Sequence, residues 1–272
     1  MSTPAADDAA SCAKATAALW SKLEEVLKLL AHQPDAKELF NRYTVIRYVV
    51  GEVKPVYSDA LRIRLKVFCD EQGLATRTEA DDFEAISVHV VTYFNYTLFA
   101  TEMEELAVQA RLRKSVGMEK TGLRFQRRQR NPAATGAGAS GAAESKRPPT
   151  SPVAQPAKGR YRPPVLIPVG CMRLRRAAKA PRAGKLLEVV ARMERLCVVK
   201  SVRNFDIGRV LMTAAENIAR DVCHVRWALL YAPLAARDFY LKVGYVAKDG
   251  WVFFKAEEAH IVMIKCLADA SL

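Results

Sequence analysis

Apolar residues recur at three- and four-residue steps between positions 13 and 31, where Leu19, Leu23, Val26, Leu27 and Leu30 fall on one side. That spacing predicts an amphipathic helix. The small and polar residues 1–12 ahead of it lack the pattern and read as a disordered tail. The β-branched and aromatic run 43–54 (YTVIRYVVGEVK) predicts a strand. Residues 58–69 return to helical spacing, with Leu61, Leu65 and Phe68 on one face and Arg62 and Lys66 on another. Residues 85–94 (AISVHVVTYF) predict a second strand. Beyond position 164 the pattern predicts a strand with a proline interruption in 165–175 and another strand in 188–199. A helix over 207–220, a strand over 225–231, a short helix over 235–243 and strands over 251–254 and 260–267 follow.

Residues 96–164 break this alternation. They hold one short helical piece (102–115), a basic run (RFQRRQR, 124–130) and a stretch of Gly, Ala, Ser and Pro. Such a composition buries too little apolar surface to offset its ordering entropy, which predicts a largely disordered, low-complexity insertion. The chain then divides into an N-terminal tail and helix (1–40), the first part of one α/β domain (41–95), the insertion (96–164) and the second part of that domain (165–272).

Charge changes this picture only locally. A net +13 over 272 residues would suggest a nucleic-acid partner if it covered a folded face. But residues 111–162 carry 13 Lys and Arg against two acids, a net +11. The basicity therefore belongs to the insertion. Two readings of its basic run stay open: a contact for RNA, an acidic partner or nuclear import, and a solvated linker. No apolar run reaches the roughly 18–20 residues of a membrane-spanning helix. The six cysteines are scattered, with no metal-ligand spacing, and read as free core thiols of a reducing compartment. The first residues carry Asp7 and Asp8 and no apolar stretch, so no secretory signal is read. The location implied is the cytoplasm, or the nucleus if the basic run directs import.

The segment 193–220 (MERLCVVKSVRNFDIGRVLMTAAENIAR) carries the most chemistry. It reads as a strand, a short polar turn and a helix with Leu211, Ala215 and Ile218 on its apolar face. A helix N-terminus offers unpaired N–H groups and partial positive charge to an anion. Arg203 and Arg209 flank the turn and could pair with phosphate.

This turn, Arg203-Asn204-Phe205-Asp206-Ile207-Gly208, resembles the Q/R-x-x-G-x-G/A acyl-CoA-binding motif of the GNAT superfamily of N-acyltransferases. Other segments resemble that superfamily in its own order. RLKVFCDEQG with EADDFEAISVHVV resembles the opening helix and second strand of one subgroup, VGCMRLR the third strand, ARDFYLKVGY the late helix, and HIVMIK the terminal strand. The resemblance implies a mixed, mostly antiparallel sheet with helices on both faces. It also implies acetyl transfer from acetyl-CoA, as co-substrate and without a metal, to a primary amine on a small molecule or a protein. Backbone of Leu196 and Val198 would hold the pantetheine arm. The turn residues named above, with Arg209, would hold the pyrophosphate, and Tyr240 would protonate the departing thiolate.

The departures from the motif leave alternatives open. Asp206 stands where the motif has its first glycine, and Asn204 stands where a glycine is common. Both residue types tolerate positive φ. Asp206 would nonetheless face the pyrophosphate, or would cap the helix and fill the N–H groups itself, leaving a non-catalytic GNAT-fold binding module. The alternative for Tyr240 is to pack its helix on the sheet, a job that Phe239 already suits. Glu194, on the face of Leu196 by period 2, is the candidate general base. Glu71, His89 and His260 are others, and a water chain could serve instead. The acidic run Glu79, Asp81 and Asp82 could attract an amine or stand as a solvated loop.

Replacing residues 115–160 with a short Gly/Ser linker is expected to leave thermal stability nearly unchanged. A cooperative loss above about 2 kcal/mol in denaturant titration would show instead that the segment packs.

Overall fold

The computed structural model describes residues 4–74, 80–115, 163–179, 188–255 and 258–267. The strands are β1 Thr44–Val50, β2 Val88–Asn95, β3 Leu166–Lys179, β4 Glu188–Val198, β5 Trp227–Pro233, β6 Val246–Lys255 and β7 Glu258–Cys266. They form one sheet in the order β1-β2-β3-β4-β5-β7-β6. Neighbours pair antiparallel, except β4 and β5, which are parallel. The helices are α1 Pro4–Leu30, α2 Ala36–Arg42, α3 Val56–Arg64, α4 Tyr96–Ser115, α5 Ile207–Asp221 and α6 Arg237–Lys242. This is the mixed, mostly antiparallel α/β architecture expected from the sequence.

Side-chain alternation along β3 shows how the sheet is covered. The Cys171 thiol lies 3.4 Å from the Ala60 carbonyl of α3. Its neighbour Gly170 faces the other way, and a Cβ there would meet Ile207 and Leu211 of α5 at 3.0 Å. Helix α3 therefore packs on one face and α5 on the other. The missing side chain at Gly170 lets α5 sit close under the centre of the sheet. Ile207, Leu211, Met212, Ala215, Ile218 and Ala219 of α5 are buried at the three- and four-residue steps read from the sequence.

The structure corrects several expectations. Helix α1 begins at Pro4, so residues 4–12, read as a tail, continue the helix. Helix α2 was not expected at all, because seven residues (AKELFNR) are too short to show a period. The helix read over 58–69 is α-helical only to Arg64 and continues as a π-helical turn, Leu65–Glu71. The strand read over 85–94 starts at Val88, after a 3₁₀ turn over Glu84–Ile86. Of the described cysteines, Cys171 and Cys197 are buried and Cys266 is exposed, against the expectation of core thiols throughout.

The chain divides into two compact units, residues 1–100 with 164–272, and residues 101–163. In the second unit the described residues are the body of α4 and position 163. The basic run 124–130, the Gly/Ala/Ser/Pro stretch and Glu79 lie outside the described residues. No helix among the described residues is long and apolar enough to cross a membrane.

Candidate active site

Strands β4 and β5 pair only at Ala191–Ala228, Arg192–Leu229 and Met193–Leu230. Beyond these pairs the two strands part. Arg195 has a φ of +57°, and the β3–β4 register shifts from Arg173–Glu194 to Cys171–Cys197. One extra residue on β4 makes a bulge, which bends and twists the strand. The bulge also flips the alternation. Glu194 and Cys197 share the face of their partners Arg173 and Cys171, and Leu196 lies on the other face. The expectation that Glu194 and Leu196 share a face fails for this reason.

Along the β4 edge past that bulge lies a cleft of about 480 Å³. Its lining takes Leu196, Cys197 and Val198 from the β4 edge, and Val67, Phe68 and Gln72 from the π-helical turn and the residue after it. Arg203, Asp206, Gly208 and Arg209 of the turn and the start of α5 also line it, and Phe239 and Lys242 of α6 complete the lining. The structure thus brings six of the expected cofactor-binding residues into one cavity. Of the other three, Asn204 is exposed, Phe205 packs its ring tilted against Phe40 at 4.7 Å, and Ile207 is buried.

The turn itself is a 3₁₀ segment, Lys200–Phe205, closed by Asp206 in the left-handed conformation (φ +61°, ψ +12°). The Asp206 carbonyl accepts from Val210 N–H at 3.0 Å, the first turn of α5. Its carboxylate makes no capping hydrogen bond. It pairs with Lys37 of α2 at 2.6 Å instead. Of the two readings of Asp206, the one in which it caps α5 finds no hydrogen bond here. Helix geometry leaves the first of those groups, at Ile207, Gly208 and Arg209, without acceptors inside the helix.

Arg203 is held on both sides. Its Nε donates to the Val198 carbonyl at 3.1 Å, and its Nη2 pairs with Glu71. Glu71, a candidate base from sequence, thus serves the turn. Lys37, which sequence reasoning missed, has one weak signal: its three-residue spacing from Phe40. Phe40 is fully buried between Phe205 and Phe94, at 4.7 Å from each ring.

Glu194 lies at the vertex of the opening, outside the cleft lining. Its carboxylate accepts from Arg173 at 2.7 Å and pairs with Arg192 at 3.1 Å and Arg175 at 3.4 Å. The Arg192 guanidinium lies 3.7 Å from the centre of the Tyr231 ring, the first β5 residue past the paired segment. Arg173, nearly fully buried, also meets Asp81 at 2.6 Å and Glu84 at 2.5 Å. Its hydrogen bond, more than any other influence, holds the Asp81 carboxyl down at about 2. Asp81 is thus an anchor for Arg173, while Asp82 is exposed.

His89 and Arg64 continue this cluster, and neither side chain is exposed. Arg64 donates to both Glu84 oxygens at 3.0 Å and to His89 Nδ1 at 3.0 Å. A guanidinium only donates, so Nδ1 accepts and Nε2 carries the proton, which goes to the Glu84 carbonyl at 3.1 Å. Both ring nitrogens are engaged, and burial lowers the ring's pKa. The candidate base His89 is a neutral core residue in this structure. His260 accepts no such burial; its Nδ1 lies 2.8 Å from the Glu258 carbonyl.

Tyr240 sits on α6 between two cleft residues, Phe239 and Lys242. Its ring meets Phe239 at 5.1 Å and Tyr245 at 6.1 Å, edge to face. Burial pushes the phenol up to about 12, so it stays protonated at neutral pH. Among the described residues no group of three or more His, Cys, Asp or Glu could hold a metal ion.

Residues 165–247 match the family model of the acetyltransferase (GNAT) domain. A Bacillus subtilis (strain 168) protein named a putative acetyltransferase is 30% identical over 79 residues, which are 29% of this chain and 46% of that protein. The match thus spans about half of the relative's length. A crystal structure of a putative N-acetyltransferase from Lactobacillus plantarum aligns at a TM-score of 0.47 with 18% identity, over 83% of this chain and 99% of that one. An acyl-CoA N-acyltransferase from Pseudomonas aeruginosa aligns at 0.45 with 13% identity, over 82% and 99%.

His89 yields a pH dependence. Its folded pKa lies below the ordinary imidazole value of 6.5, so the unfolded chain binds more protons just below that pH. Its contribution to stability is complete above pH 6.5 and shrinks as pH falls below it. The unfolding midpoint in urea should fall between pH 7.5 and 5.5, and the His89 ring signals in NMR should stay those of the neutral Nε2–H form at pH 6. A ring that titrates at 6.5 with no change in midpoint would contradict its place in the cluster.

Proposed function

We propose that this chain is an N-acetyltransferase, moving an acetyl group from acetyl-CoA to a primary amine by direct attack in a ternary complex. The observation that carries the reading is the parting of β4 and β5 over the N-terminus of α5, within the segment that matches the GNAT domain model. A strand edge freed from its neighbour offers backbone donors and acceptors to the amide groups of pantetheine. Leu196 and Val198 are the assigned contributors. The N–H groups at Ile207, Gly208 and Arg209, with Arg203 beside them, take the pyrophosphate.

In the reaction the amine lone pair attacks the thioester carbon, a C–N bond forms, and the C–S bond breaks. The sulfur leaves with the bonding pair and takes the Tyr240 hydroxyl proton, which solvent restores. The burial that keeps the phenol protonated also raises the proton affinity of a thiolate in the same place. Glu194 fills its oxygens with three guanidiniums, so its assigned role is to hold Arg173 and Arg192 at the vertex. The amine proton then leaves through water. Most of the rate comes from orienting the two reactants. The rival, a binding module with a self-filled turn, has less support, because the Asp206 carboxylate turns to Lys37.

Tyr240→Phe tests the assignment. The ring keeps its packing and only the hydroxyl is lost. With an amine found by panel screening, kcat for CoA release is expected to drop roughly 10²-fold, with acetyl-CoA affinity nearly unchanged. Unchanged turnover with lower thermal stability would make the hydroxyl a structural group, and absence of CoA release by the parent with any amine would count against the enzyme.

A further inference from the structure

We propose that Lys37 is a positioning residue for the diphosphate of the acyl donor, acting through Asp206; this rests on the acetyl-CoA reading above. The turn has an electrostatic problem. Asp206 places a carboxylate on the lining of the cleft at the point where two phosphates would enter. A lone carboxylate there repels them. Lys37 removes that repulsion from outside the turn, with its ammonium 2.6 Å from the carboxylate.

The pairing is built into the packing. Lys37 and Phe40 are three residues apart on α2, hence on one face. Phe40 is fully buried against Phe205 and Phe94, so the short helix is fixed by its ring. The same face therefore delivers a ring to Phe205 and an ammonium to Asp206, adjacent residues of the turn. Arg203 and Glu71 form a second ion pair at the same turn. Charges at the turn are thus Lys37, Arg203, Arg209 and Lys242 against Asp206 and Glu71, a surplus of cations that disappears in part when Lys37 is removed.

Both members of the Lys37–Asp206 pair are about half exposed, at 50% and 47%. The bond by itself contributes little to stability. Its effect belongs to the bound state, where the dianionic group raises the penalty on an unpaired carboxylate. An ammonium has three donors, so Lys37 can keep Asp206 and still meet a phosphate oxygen.

A double-mutant cycle read by calorimetric titration of acetyl-CoA tests this on the full chain. Lys37→Met is expected to weaken binding roughly tenfold, and Asp206→Gly to leave it equal or tighter. In the Asp206→Gly background, Lys37→Met should cost less than about threefold, and Lys37→Arg in the parent should restore affinity to within about threefold. Thermal unfolding of Lys37→Met close to that of the parent excludes a lost fold as the cause. An unchanged affinity for Lys37→Met, the same loss in both backgrounds, or weaker binding by Asp206→Gly overturns the proposal while leaving the acetyl-CoA reading intact. No binding by the parent overturns both.

Discussion

The parallel ladder between β4 and β5 stops at Met193–Leu230, and the candidate site is built on what happens beyond that pair. A parallel neighbour would otherwise satisfy the β4 edge from Glu194 to Val198. The bulge at Arg195 turns the strand away, and the stacking of Arg192 on Tyr231 holds the last paired residues at the vertex. Backbone polar groups left without a neighbour need another partner. Arg203 supplies one to the Val198 carbonyl, and solvent or a ligand must supply the rest. Gly170 then admits α5 close beneath the sheet, which brings the helix N-terminus to the mouth of the same opening.

The vertex is held by ions in the core. Arg64 and Arg173 are almost fully buried, and Glu84 lies between them. Removing water from such charges is costly, and only dense pairing offsets it. Asp81 and Glu194 extend the pairing from Arg173 outward, so the loop ahead of β2 is tied to β3 and β4 together. Neutral His89 fits the same cluster, as a third cation beside two guanidiniums would be repelled. The arrangement fixes where β4 bends, and thereby where the cleft opens.

Much of this was legible in the sequence. The apolar spacing of 207–220 and the β-branched runs gave the strand–turn–helix unit, and the turn residues Arg203, Asp206, Gly208 and Arg209 could be named in advance. Asp206 was suited to positive φ, and it adopts it. What failed did so for local reasons. Period 2 placed Glu194 beside Leu196, but one inserted residue reversed the alternation. Helix α2 has only two large apolar residues in seven, Leu39 and Phe40, so nothing announced that Lys37 would reach a turn 169 positions later. The carboxylate partners of Arg173 come from two segments distant in sequence, the loop holding Asp81 and Glu84 and strand β4 with Glu194, and no spacing rule connects them.

The most direct measurement is backbone hydrogen exchange of the full chain with and without saturating acetyl-CoA. Slower exchange is expected at the amides of 196–198 and 207–209, with little change in β6 and β7. Unchanged exchange at both of those segments, or protection confined to the far side of the sheet, would contradict a cofactor seated where β4 and β5 part.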